Sequence, residues 1–135
     1  MANGESNSNN QSSKDRNKRR KFDLEERTAV FGEKCIRFAK KIPISPVTVK
    51  LISQFVDSAT SIGANYSEAN DAQSKKDFRH KMSICKKESK ESKHWLRMVA
   101  VAEPPLRDEA ALLWQEAKEL NLIFAAIIRK CDAQK

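Results

Sequence analysis

Between Cys85 and Trp95 the chain reads CKKESKESKHW, and three kinds of chemistry overlap there. Glu91 and His94 stand three residues apart, the spacing at which a carboxylate and an imidazole on one helix can hold a metal ion. Lys86, Lys87, Lys90 and Lys93 concentrate ammonium groups suited to phosphates. Glu88, Glu91 and Ser92 read equally well as a solvated helix face, or Glu88 as a general acid or base. These readings separate once the side of the helix that meets a core is known.

That core is built economically, because 33% of the 135 residues are charged. Only three glycines and four prolines occur. No segment alternates apolar and polar residues for long, which favours helices over strands. Over 23–42, Leu24, Thr28, Phe31, Cys35, Phe38 and Ile42 recur at alternating steps of four and three. Asp23 and Glu26 make a capping-box-like start, and Pro43 is the stop. A second helix, 46–70, opens at Ser45 and Pro46. Leu51, Phe55, Ile62 and Ala69 share its face, with Ile52, Ala59 and Tyr66 beside them and a small polar line of Gln54, Ser58, Ser61, Asn65 and Glu68 at the edge. A third helix, 74–101, carries Phe78, Met82, Cys85, Ser89, Ser92, Leu96 and Val99. A fourth, 106–132, carries Leu106, Ala110, Leu113, Ala117, Leu120, Phe124, Ile127 and Cys131. Four heptad stripes with short connections predict an all-α fold over 22–135: an antiparallel up-down-up-down four-helix bundle with left-handed crossing at roughly 20°.

On a wheel of 100° per residue, Lys76, Arg79, Lys86, Lys90, Lys93 and Arg97 gather opposite the core stripe of the third helix, in a row about 30 Å long. Lys87 and His80 fringe it, and His94 lies within it. His94 therefore faces solvent with the lysines. His80 is two heptads away on the same helix, about 21 Å, so the two histidines cannot share a metal. A di-iron bundle needs such motifs on different helices and two further inward carboxylates. No metal, cofactor or catalytic residue is expected, since nucleophile and glycine-rich phosphate loop are missing too. Glu88 falls on the core side with Ser92. A buried carboxylate needs a partner, and Arg27 is the best by type. The expected arrangement is a polar layer of Arg27, Ser58, Asn65, Glu88 and Ser92.

Net charge is +8. Residues 1–21 are Asn- and Ser-rich, then basic, with six basic and two acidic residues, and are expected to be a disordered tail. Arg19, Arg20 and Lys21 there would lie along phosphates, or the tail is a solubilising leader. Little aromatic sequence interleaves the third helix's basic row, so contacts to the backbone are expected rather than base stacking. On the fourth helix Leu112, Trp114, Leu122, Ile123 and Ala126 are apolar outside the stripe, which predicts a subunit interface. No signal peptide or bilayer-spanning run is read, and three scattered cysteines on apolar stripes fit buried thiols in a reducing cytoplasm.

The segments KFDLEER, QFVDSATSIGANYSEA and DFRHKMSICKKESKESKHWL resemble the four-helix bundle proteins also known as 23S rRNA intervening-sequence proteins. The most specific parts are Ser58-Ala59-x-Ser61-Ile62-x-Ala64-Asn65-x-x-Glu68 and Lys87-Glu88-x-x-Glu91-Ser92-x-x-Trp95-Leu96. The resemblance runs from about Phe22 to the end of the fourth helix. It implies a small bacterial cytoplasmic bundle assembling as a homopentamer. Some members are encoded inside insertions in the large ribosomal RNA gene. A similar protein is the basic, pentameric accessory factor of diversity-generating retroelements, which binds nucleic acid and a reverse transcriptase. The Asn/Ser-rich basic start departs from the family's usual short one.

The expectation is thus a non-enzymatic, oligomeric protein that binds RNA or DNA backbone through its third helix. The alternative is a protein-protein scaffold or accessory subunit, for example of a reverse transcriptase, with no direct role on nucleic acid.

Overall fold

The computed structural model describes the backbone over residues 13–134 and the side chains over 24–134. Among the described residues four helices make up the fold: α1 (Ser13–Ala39), α2 (Thr48–Asn70), α3 (Lys75–Ala102) and α4 (Arg107–Ala133), with a 3-10 turn at Pro104–Leu106. No strand occurs among the described residues. The helices close a ring: α1 packs on α2, α2 on α3, α3 on α4, and α4 back on α1. The end of α1 meets the start of α4 through Lys41 and Glu109, and the start of α3 meets the end of α4 through Arg79 and Asp132.

The helix ends follow local chemistry. α1 begins at Ser13 rather than at Asp23. Nothing between them breaks a helix, and Lys and Arg are good helix formers. The expected tail therefore overlaps α1 from Ser13, and residues 1–12 lie outside the described ones. α1 ends at Ala39, three residues early. The N–H groups of Lys41 and Ile42 turn back to the carbonyls of Phe38 and Ala39, at 2.9 and 3.1 Å, ahead of Pro43. Ser45 caps the next element as expected: its Oγ accepts from the N–H groups of Val47 and Thr48 at 3.2 and 3.1 Å. Thr48 Oγ1 accepts in return from the Ser45 N–H at 2.8 Å. Ser74 Oγ caps α3, accepting from the Asp77 N–H at 3.0 Å.

The predicted stripes form the core. Phe31, Cys35, Phe38, Phe55, Ile62, Met82, Cys85, Leu96, Leu120 and Phe124 are all buried. Phe38 meets Phe55 edge-on at 6.0 Å, a favourable aromatic arrangement. Leu51, Phe78 and Leu106 pack against the core from its edge and are only partly covered. At the end of α4 Ile128 is buried in place of Ile127, and Cys131 is only partly covered. A straight helix repeats every 3.6 residues, so a strict heptad drifts in phase and is one residue out by the end of α4. Burial pushes the thiols of Cys35 and Cys85 up, Cys85 to about 12, so neither offers a thiolate near neutrality.

Candidate nucleic-acid interface

α3 supplies most of the predicted site residues, and its two flanks differ. One flank meets α2. Cys85 Sγ lies 3.6 Å from the Ile62 carbonyl, and Ser92 Oγ lies 3.1 Å from Ser58 Oγ. The other flank meets α4. Asn121 Nδ2 donates to the Lys86 carbonyl at 2.8 Å and to Ser89 Oγ at 3.0 Å. The basic row runs along this α4 flank, not directly opposite the core, because α4 packs beside it.

Lys76, Lys86, Lys87, Lys90 and Arg97 are exposed and make no ion pair with any described residue. Two members of the row are engaged by α4. Arg79 grips Asp132 with both arms, Nε to Oδ1 at 2.6 Å and Nη2 to Oδ2 at 3.0 Å. Its guanidinium is raised above its ordinary value, chiefly by that hydrogen bond. Lys93 is partly covered, and its ammonium stands 5.5 Å from the centre of the Trp114 ring. Lys118 reaches the same ring at 5.6 Å. Trp114, expected at a subunit interface, stands beside α3 in this structure. The side chains of Arg19, Arg20 and Lys21 lie outside the described residues.

The polar layer comes together only in part. Ser58 and Ser92 touch. Asn65 Nδ2 donates instead to the Ser61 carbonyl at 2.8 Å. Arg27 faces α4, where Nε and Nη2 hold Glu116 at 2.7 and 2.8 Å, and Nη2 also reaches Glu119 at 2.8 Å. The ring order puts α4, not α3, beside α1, so Arg27 cannot serve Glu88. Glu88 is half-buried and makes no ion pair among the described residues. Its carboxyl is pushed above the usual range, first by burial and then by Glu91, with Asp57 adding and Lys87 opposing. Trp95 Nε1, on the same flank, is buried and has no hydrogen-bond partner among the described residues.

His94 is exposed and meets the Trp95 ring edge-on at 4.8 Å. Among the described residues no three His, Cys, Asp or Glu side chains are grouped to hold a metal ion. No helix of the described residues is long and apolar enough to cross a membrane. Of the predicted interface residues, Leu112 and Leu122 are 75% and 58% exposed, Ala126 is exposed, and Ile123 is partly covered.

The family model described as 23S rRNA-intervening sequence protein matches residues 20–126. The chain belongs to that family. Among solved structures it is similar to a protein of unknown function from the S23 ribosomal protein family of Bacteroides thetaiotaomicron. Identity is 28%, with a TM-score of 0.68, over 78% of this chain and 97% of that one. No curated protein matches it. In this intervening-sequence protein both signature segments sit at the α2–α3 contact: Ser58 and Ile62 from one, Ser92 and Glu88 from the other. They join the two helices, whereas the basic row lies on the opposite flank. Lys118, Asn121 and Arg107, which complete that flank, come from α4. Their link to the row is invisible until α4 is known to be its neighbour.

Proposed function

We propose that this intervening-sequence protein is a non-enzymatic nucleic-acid-binding bundle. It holds the phosphate backbone of RNA or DNA along the α4 flank of α3. The observation that carries this reading is the run of exposed cations, Lys86, Lys87, Lys90 and Arg97, without acidic partners among the described residues. A face made only for solubility intersperses both signs. Here the acids Glu88 and Glu91 are kept on the other flank. An antiparallel, left-handed bundle assembles with its copies through exposed Leu112 and Leu122, five copies being the number the family resemblance implies. Assembly multiplies a charge of +8 per chain, and several weak contacts together raise apparent affinity. The work is done in the cytoplasm, on a ribosomal RNA insertion or beside a retroelement's reverse transcriptase.

The test is fluorescence anisotropy of labelled RNA and DNA against nuclease-treated protein at two salt concentrations. Affinity should fall on the order of 10³-fold between roughly 50 and 200 mM salt. The triple variant Lys86→Glu/Lys90→Glu/Lys93→Glu should lose binding while its circular dichroism stays unchanged. Wild-type protein that binds nothing at low salt removes this reading and leaves the row as a docking surface for acidic protein.

A further inference from the structure

The α3–α4 seam has an aromatic wall that the sequence of α3 alone does not reveal. Beyond Lys93 the seam opens into a groove of about 310 Å³ between Arg97, Arg107 and Trp114, over Leu96 and three alanines, Ala100, Ala110 and Ala111. Its floor is apolar, and the small alanine side chains leave room above it. One wall is the indole of Trp114. The rim is cationic. Arg97 has no ion pair among the described residues, and Arg107 reaches only its sequence neighbour Asp108, at 3.9 Å and fully in solvent. The ammonium groups of Lys93 and Lys118 already stand over the ring.

We infer that this groove takes one unpaired nucleobase of a single-stranded nucleic acid, stacked on Trp114, with Arg97 and Arg107 holding the phosphates on either side. The inference rests on the phosphate-binding reading of the row and adds a preference to it. The groove continues the row: Arg97 is one helical turn from Lys93, so a strand following the lysines arrives at the indole. The charges fit a nucleotide, which brings a flat π face and an anion a few bonds apart. The exchange is also favourable. A lysine over an exposed ring is worth roughly a two- to fivefold effect. A base stacked on an aromatic ring is worth on the order of ten- to a hundredfold. An arriving base displaces Lys93 or Lys118 from the ring, and the freed ammonium moves to a phosphate. A duplex cannot do this, because its bases already stack on one another. The exposed stripe of Leu112, Leu122 and Ala126 is centred on another side of α4, so assembly through it leaves the groove open.

The experiment compares wild-type protein, Trp114→Leu and Trp114→Phe on labelled oligouridine, oligothymidine and a blunt RNA duplex. Tryptophan emission is followed alongside anisotropy. The expected result is that wild type prefers single strands and that Trp114→Leu loses about tenfold or more on them with its duplex affinity unchanged. Trp114→Phe keeps most of the affinity. Emission is quenched by single strands in wild type and not in Trp114→Phe, where Trp95 remains as the internal reference. Comparable affinity of oligouridine and oligothymidine, or a modest gain for the methylated base, assigns the preference to the base face; a large gap in favour of oligouridine, which lacks the ring methyl, assigns it to the sugar and overturns the stacking. Equal losses on single strand and duplex, or no loss in Trp114→Leu, also overturn it while leaving the phosphate-binding reading intact. No binding of any nucleic acid by wild type overturns both.

Discussion

The two flanks of α3 are cut from one helix, yet they solve different problems. Toward α2, small side chains meet: Ser92 lies on Ser58, and Cys85 on the Ile62 carbonyl. Ser92 Oγ also bonds the Glu88 carbonyl at 2.9 Å, so the layer satisfies itself at close range. What this flank leaves over is acid: Glu88 and Glu91 near Asp57, without an ion pair among the described residues. Toward α4, longer side chains span the gap: Asn121 to Ser89, Arg79 to Asp132 and Lys93 to Trp114. This seam ends in a groove and leaves cations over. The difference teaches where to look for function. The family's signature residues mark the flank that holds the bundle together. The exposed cations without an ion pair among the described residues sit on the other one, and of these only Lys87 lies within the signatures.

The largest effect expected from this contrast is on binding. Lys86→Glu/Lys90→Glu removes two phosphate contacts from the α4 flank and adds two repulsions. It should weaken RNA binding by about a hundredfold or more at low salt, equivalent to about 2.8 kcal/mol. The mirror variant, Glu88→Lys/Glu91→Lys, puts new cations on the α2 flank and should bind as wild type or slightly tighter. Filter binding on the two variants side by side reads the difference. A gain in the mirror variant as large as the loss in the first would mean that overall charge, not its placement, governs binding.

The next effect is on stability and differs with what each flank buries. Ser92 is fully buried against Ser58. Ser92→Leu forces extra bulk between α2 and α3 and should cost about 2 kcal/mol. On the α4 flank Asn121→Ala removes two hydrogen bonds in a partly solvated site and should cost about 1 kcal/mol. Urea denaturation measures both. A larger loss at Asn121 than at Ser92 would mean that the α4 flank holds the bundle more strongly than the buried serine pair does.

How far the sequence foretold these flanks depends on what each residue carries in itself. Phe31, Phe38, Leu96 and Leu120 announce their burial through spacing, because helical periodicity is a property of one segment. So most of the four stripes and the cap at Ser45 are readable in advance. Arg27 is different. A wheel gives its angle on α1 but not which helix stands at that angle, so its grip on Glu116 could not be told from a grip on Glu88. The basic row has the same limit: a wheel places it on α3 but does not say that α4 stands beside it. Trp114 reads as surplus surface on α4 until Lys93 of α3 is seen to lie over its ring. Ile127 gave way to Ile128 for a subtler reason, the slow phase drift between a heptad and a helix. Relations inside a helix were legible, and relations across a seam were not.

The smallest effect tests the cost of the acidic flank. The carboxyl of Glu88 is raised from its ordinary 4.5, mainly by burial and by Glu91. A carboxyl raised in the folded state binds its proton more readily there than in the unfolded chain. Its charge therefore costs the fold nothing in acid. The cost appears as pH climbs from 4.5 through the folded value and is complete above it. Glu88→Gln should then stabilise the protein at neutral pH, by less than about 1 kcal/mol because the group is partly solvated. The gain should shrink to nothing as pH falls below the carboxylate range. Chemical denaturation of both proteins across that range decides it. A gain that persists undiminished in acid would show that the amide simply packs better there than the carboxyl of Glu88, and the acidic flank would then carry no electrostatic cost.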